Sequence, residues 1–174
     1  MKILNRNSKV LNEVVPDWNT WIPRERGVLC FVISGHEILL INKKRGLGAG
    51  KVNGPGGRLE QGESPLDAAI RETREEVGVT PTGLREMGVL NFQFCDGYSL
   101  QCTVFSASGL FGELQETDEA KPFWSPLSSI PYDHMWADDQ LWFPYLLDGR
   151  PFEGNFVFDG DRMLFHDIGP RRRL

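Results

Sequence analysis

Three cysteines in 174 residues are too few for a disulfide framework, and no two are spaced as a zinc-type pair. Cys30, Cys95 and Cys102 lie in apolar runs, which suits buried, reduced thiols in a cytoplasmic protein. Long hydrophobic runs are missing as well. The longest, Val28 to Ile33, is far short of a membrane span, and Met1-Lys2-Ile3-Leu4-Asn5 lacks the apolar stretch of a signal peptide. Positive charge is also in deficit, with 19 Lys and Arg against 24 Asp and Glu, a net −5. That balance disfavours nucleic acid polymers as partners, but a small polyanion remains open, because a metal ion can bring the cationic charge the protein lacks. No repeats and no low-complexity segment are found. What remains is a chain 40% hydrophobic, long enough for one well-filled domain and short for two. A monomer is expected, with a dimer left open.

Residues 1–26 are weakly patterned, with Trp18, Trp21 and Pro23 near their end, and read as an extension packed on a domain over 27–168. Residues 169–174, which include Arg171-Arg172-Arg173, read as a basic solubilising tail. Gly27 to Ser34 is apolar on both faces, as in a buried strand, and Glu37 to Lys44 returns from the Gly35-His36 turn. Arg45 to Gly62 holds seven glycines, so loop with at most short strands is expected. Ser64-Pro65 then signals a helix start, and Leu66, Ala69, Ile70, Thr73 and Val77 form a helical stripe that ends at Gly78. Met87–Cys95 and Tyr98–Ala107 read as a hairpin about Asp96-Gly97. A strand over Lys121–Ser125 and a helix over Asp138–Leu147, bent at Pro144, follow. Strands over Phe152–Phe158 and Met163–His166 close the fold. The fold class is therefore α+β, a mixed sheet sandwiched between helices.

The first helix has a second face. Glu72, Glu75 and Glu76 stand at i, i+3 and i+4, so three carboxylates share one side and repel each other unless a cation sits among them. On spacing alone the commoner meaning is a solvated acidic face. The surroundings argue otherwise. Glu63 stands just before the helix, and Gly54-Pro55-Gly56-Gly57 supplies backbone that a ligand can approach closely. Hard oxygen donors beside such a loop suit a magnesium–phosphate site.

Gly57, Glu63, Arg71-Glu72, Glu75-Glu76 and Gly78-Val79 also fall at the spacings of the Nudix box. One position departs, since the family prefers an aliphatic residue where this chain has Thr73. A chain carrying this pattern resembles the Nudix hydrolases, MutT-like enzymes that cleave nucleoside diphosphate linkages. The resemblance implies a loop–helix–loop beside a mixed sheet, with Mg²⁺ as cofactor and Mn²⁺ able to replace it. It implies metal ligands at Glu72, Glu75, Glu76 and the Gly56 carbonyl, with Arg71 pairing a box glutamate and Glu63 supporting the loop. The general base is left between Glu76 and Glu119, and Glu119 would also approach the metal. By itself Glu119 reads as a surface acid.

The resemblance extends over about residues 27–166, towards the branch of the family that converts oxidised purine nucleoside triphosphates, such as 8-oxo-dGTP, to monophosphate and pyrophosphate. The Lys43-Lys44-Arg45-Gly46-Leu47 run and Met135-Trp136-Ala137-Asp138-Asp139 carry it. A base pocket is then implied at Lys43, Leu47, Asn53, Phe92, Phe94, Leu100, Met135, Trp136, Asp138 and Asp139. Each also has a plainer reading: Trp136, Phe92 and Phe94 as packing, Asn53 as a turn residue, and Asp138 with Asp139 as a helix cap and its neighbour. Together they suit a purine, with Trp136 to stack and Asn53 to donate and accept at a base edge. Adjacent carboxylates beside an aromatic wall do not both ionise readily, so one can stay protonated and donate. Leu47, Val52 and Leu100 stand where that branch has phenylalanine, tryptophan and methionine, and Leu47 and Leu100 make the expected pocket wall less aromatic. Two other readings stay open: a Nudix enzyme acting on a nucleoside diphosphate sugar or dinucleoside polyphosphate, and a non-catalytic nucleotide-binding module.

Overall fold

The computed structural model describes residues 14–171. Residues 1–13 of the segment read as an extension, and Arg172 and Arg173 of the tail, lie outside them. The apolar stretch from Gly27 forms β1 (Glu25–Ser34), which starts two residues before it. Gly35, at φ +59°, turns the chain into β2 (Glu37–Lys43). Within the glycine-rich stretch lie two short strands, β3 (Val52–Asn53) and β4 (Gly56–Arg58). Helix α1 (Pro65–Val77) follows. Ser64 caps it, accepting the Asp67 N–H at 3.1 Å and donating to the Asp67 carboxylate at 2.7 Å. Gly78, at φ 79°, ends it in the left-handed conformation.

The chain continues through β5 (Thr80–Thr82), β6 (Arg85–Phe94), β7 (Ser99–Ala107), β8 (Gly109–Phe111) and β9 (Ala120–Pro126). Helix α2 (Asp139–Leu147), with Pro144 inside it, leads to β10 (Phe152–Asp159) and β11 (Arg162–Pro170). The main sheet runs β11-β10-β6-β7-β1-β2-β3, with β4 on β1 and β9 on β2. Strand β1 pairs parallel to β7, and β6 parallel to β10, while the other pairs are antiparallel. Strands β5 and β8 form a separate pair.

Alternation along β1 and β2 sorts the core into two layers. Val28, Cys30 and Val32, with Leu39 and Ile41, pack with Ala68, Ala69 and Val77 of α1. Phe31, Ile38 and Leu40 pack with Trp142, Phe143 and Leu146 of α2. The sheet is thus sandwiched between helices, as the pattern implied.

Several local expectations need correction. Leu66 is 45% exposed, and Glu76 joins Ala69, Thr73 and Val77 in the buried stripe. Alanines at 68 and 69 let α1 lie close on the sheet without a large side chain there. Thr73 costs no unmet polar group, because its Oγ1 donates to the Ala69 carbonyl at 2.7 Å. Cys95 is exposed beside the tip of the β6–β7 hairpin, whereas Cys30 and Cys102 are buried. Strand β11 continues to Pro170, and Arg171 pairs with Glu86 at 2.5 Å. Ahead of β1, Trp21 Nε1 donates to Gln93 at 2.9 Å and Arg24 N–H to Ser99 Oγ at 3.0 Å, both on the β6–β7 hairpin.

Candidate active site

Arg71 organises the acidic face of α1. Its Nε and one terminal nitrogen hold both oxygens of Glu63, at 2.7 and 2.8 Å. The other terminal nitrogen reaches Glu72 at 2.8 Å and Glu75 at 3.1 Å. A planar guanidinium can do this because its donors point in fixed, diverging directions. The Arg71 hydrogen bonds, helped by the Glu60 backbone N–H, hold Glu63 down to about 2. Glu76 is placed differently. It is 1% exposed, accepts the Gly56 N–H at 3.0 Å and lies 3.4 Å from Lys43 Nζ. Burial pushes its carboxyl above the ordinary range, against the pull of Lys43 and the Gly56 N–H. Burial raises Glu72 too, against the pull of Arg71.

Among the described residues no three acids converge on one point in this arrangement. Arg71 holds Glu63, Glu72 and Glu75, Lys43 holds Glu76, and Arg45 holds Glu119 at 2.6 Å. The donor set nevertheless fits a hard divalent ion, since every ligand is an oxygen and two carboxylates meet the same pair of glycines. Glu76 bonds to Gly56, and a Cβ added at Gly57 would lie 2.3 Å from the Glu72 carboxyl carbon. Gly57→Ala is therefore expected to displace Glu72 while the sheet stays intact. Turnover should fall by roughly 100-fold with melting temperature changed by only a few degrees, since the clash meets a mobile side-chain end. Equal activity in wild type and variant would show that Glu72 need not stand against Gly57.

Beside Gly56 and Gly57 opens a cavity of about 350 Å³. Nine of the ten residues implied for the base pocket line it. Lys43, Leu47 and Asn53 come from β2, the glycine-rich loop and β3; Phe92, Phe94 and Leu100 from β6 and β7; Trp136, Asp138 and Asp139 from the approach to α2. Met135 is not on the wall but 5% exposed within the core. Trp136 stands edge-on to Phe94 and Phe158, and Lys51 Nζ lies 5.0 Å from its ring centroid.

The two aspartates are 2% and 3% exposed. Asp138 holds the cap position of α2 yet caps nothing with its side chain; its Oδ2 accepts the Trp142 Nε1–H at 2.9 Å. Asp139 Oδ2 accepts the Trp136 N–H at 3.2 Å. Asp138 lines the cavity, and its buried Oδ1 has no hydrogen-bond partner among the described residues. Burial lifts Asp138 to about 6 and Asp139 well above the ordinary aspartate range, and the neighbouring Asp138 charge adds to the rise at Asp139. Sequence reasoning missed Arg58, Tyr98 and Phe158, which also line the cavity. Phe158 reads as packing, and Tyr98 follows a turn, so neither carries a local signal.

A NUDIX domain model matches residues 23–146. The chain belongs to the Nudix family. Its relatives include the oxidized purine nucleoside triphosphate hydrolase of Danio rerio, 42% identical over 84% of this chain and 91% of that one. The Mus musculus protein of the same name is 39% identical over 80% and 91%. Among solved structures, the mutator MutT protein from Bacillus halodurans superimposes with a TM-score of 0.76 at 28% identity, covering 85% of this chain and 99% of that one. The chain is accordingly a Nudix hydrolase, and hydrolases of this family generally work with a divalent metal. No helix among the described residues is long and apolar enough to cross a membrane.

Proposed function

We infer that this Nudix hydrolase converts oxidised purine nucleoside triphosphates, 8-oxo-dGTP among them, to monophosphate and pyrophosphate, working on free nucleotides in the cytoplasm as a monomer. The observation that carries this reading is Asp138, a carboxyl lining the aromatic cavity whose buried Oδ1 no group among the described residues satisfies. Leaving such an atom unpaired costs about 1–3 kcal/mol, which a base edge would relieve. With one proton shared between them, Asp138 and Asp139 offer both a donor and an acceptor. Oxidation at C8 turns the N7 acceptor of a purine into an N–H donor, the kind of change a donor–acceptor pair can read.

Mg²⁺, or Mn²⁺ in its place, held by Glu72, Glu75, Glu76, Glu119 and the Gly56 carbonyl, would neutralise the phosphates and acidify the attacking water. Arg71 keeps Glu72 and Glu75 turned to one side through its bidentate grip on Glu63. Glu76 or Glu119 would serve as the general base for that water. Trp136 and Asn53 orient the base, while Lys43 stands between base wall and acids, near enough to Glu76 to offset its charge.

Incubation with Mg²⁺ and a nucleotide panel tests the reading. Monophosphate plus pyrophosphate, formed faster from 8-oxo-dGTP than from dGTP, is expected. Sugar phosphate release from a nucleoside diphosphate sugar, or tight binding without turnover, would replace it.

A further inference from the structure

The base wall and the acidic face are joined by a polar rim. Phe94, on the base wall, packs its ring 5.7 Å from that of Tyr98. The Tyr98 hydroxyl donates to Glu25 Oε2 at 2.6 Å, and Arg58 Nε pairs with the same oxygen at 2.8 Å. The Arg58 carbonyl in turn accepts from Arg71 at 3.0 Å. Tyr98 and Arg58 both line the cavity. Glu25 stands just outside the lining, two residues before Gly27 on β1 and joined to the cavity wall through Tyr98 and Arg58. Gly27 has no side chain to stand in the way, and a Cβ there would come within 2.8 Å of the Gly57 carbonyl.

We propose that this Tyr98–Glu25–Arg58 rim is the sugar site, and that Glu25 reads the vicinal diol of a ribose, so that the preferred substrates are ribonucleoside triphosphates. This deepens the assignment of an oxidised purine triphosphatase and rests on it for the direction in which the nucleotide lies. In a nucleotide whose base meets Phe94 and whose phosphates meet the acids of α1, the sugar is the part that crosses between them. An ionised carboxylate has about four acceptor sites. Tyr98 and Arg58 occupy those of Oε2, and among the described residues Oε1 takes part in no hydrogen bond. Its two sites match the two hydroxyls of a ribose, as an acidic side chain does for the ribose of a dinucleotide. A 2′-deoxyribose fills only one. Arg58 offsets the repulsion that a bare carboxylate would exert on the nearby phosphates.

The test is kcat/KM for four substrates, 8-oxo-GTP, 8-oxo-dGTP, GTP and dGTP, in wild type, Glu25→Ala, Tyr98→Phe and Arg58→Ala. Wild type should prefer each ribonucleotide to its deoxy counterpart by about tenfold, the size of a hydrogen bond to a charged group. In Glu25→Ala that ratio should fall near one. Tyr98→Phe, which leaves the carboxylate in place, should keep most of it. A wild-type ratio near one, a preference for deoxyribose, or an unchanged ratio in Glu25→Ala would overturn the proposal. So would a uniform loss for all four substrates in Arg58→Ala with Glu25→Ala silent, which would make the rim a phosphate contact. A ribose preference that depends on Glu25 but is equal for oxidised and normal bases would uphold the sugar site and reject the oxidised-purine assignment.

Discussion

Glu76→Gln is expected to lower kcat by about three orders of magnitude or more, with the fold intact. Glu76 is the most buried acid of α1, and glutamine preserves its shape and the acceptor for the Gly56 N–H while removing the charge. The same change should stabilise the metal-free protein. The folded-state pKa of Glu76 is raised, so the fold holds that proton more tightly than the unfolded chain does. Stability is then gained as pH falls through the raised value and lost as pH rises through it. Melting in a chelator should therefore show wild type growing more stable on mild acidification, with Glu76→Gln following that trend less. Glu63 acts in the opposite sense: held at about 2, it supports the fold above its ordinary value near 4.5 and loses that support as pH falls towards 2. Kinetics within tenfold of wild type would remove Glu76 from the hydrolytic machinery.

The second large effect concerns choice of base. Asp138→Asn and Asp139→Asn should each shift the kcat/KM ratio between 8-oxo-dGTP and dGTP by roughly 10- to 100-fold, with turnover of a good substrate largely retained. Asparagine fixes one donor and one acceptor where the aspartate pair can exchange a proton. Both carboxyls are lifted by burial, so the pair carries a proton under conditions where exposed aspartates do not. The variants should also lose the pH dependence of discrimination that wild type shows as this proton is released. If both retain the wild-type ratio at every pH, the pair serves the fold alone, through Trp142 and the Trp136 backbone.

Much of α1 was legible from residues alone. Ser64, Gly78 and the acids at 72, 75 and 76 act over a few positions, and short-range spacing carries that kind of information. The Asp96-Gly97 hairpin is similar, and Phe92 and Phe94 fall on one strand face as their alternation implies. The resemblance implied that Arg71 pairs with a box glutamate, but not that the partner is Glu63, eight residues back and just ahead of the helix cap. Lys43 against Glu76 and Tyr98 against Glu25 join residues 33 and 73 positions apart, and nothing local marks either two as a pair. Strands β5 and β8 span three residues each, too short for any periodicity to show. Met135 illustrates the opposite failure. Its neighbours in sequence reach the cavity while its own side chain turns into the core.

Strand β10 brings Phe158 to the cavity wall and β11 closes that side of the sheet, yet both lie beyond residues 23–146, where the family match ends. The terminal ribbon that shapes one flank of the cleft thus carries none of the acids of the chemistry-bearing helix. Substitutions in that ribbon are therefore expected to alter which guest is admitted while the acids stay in place.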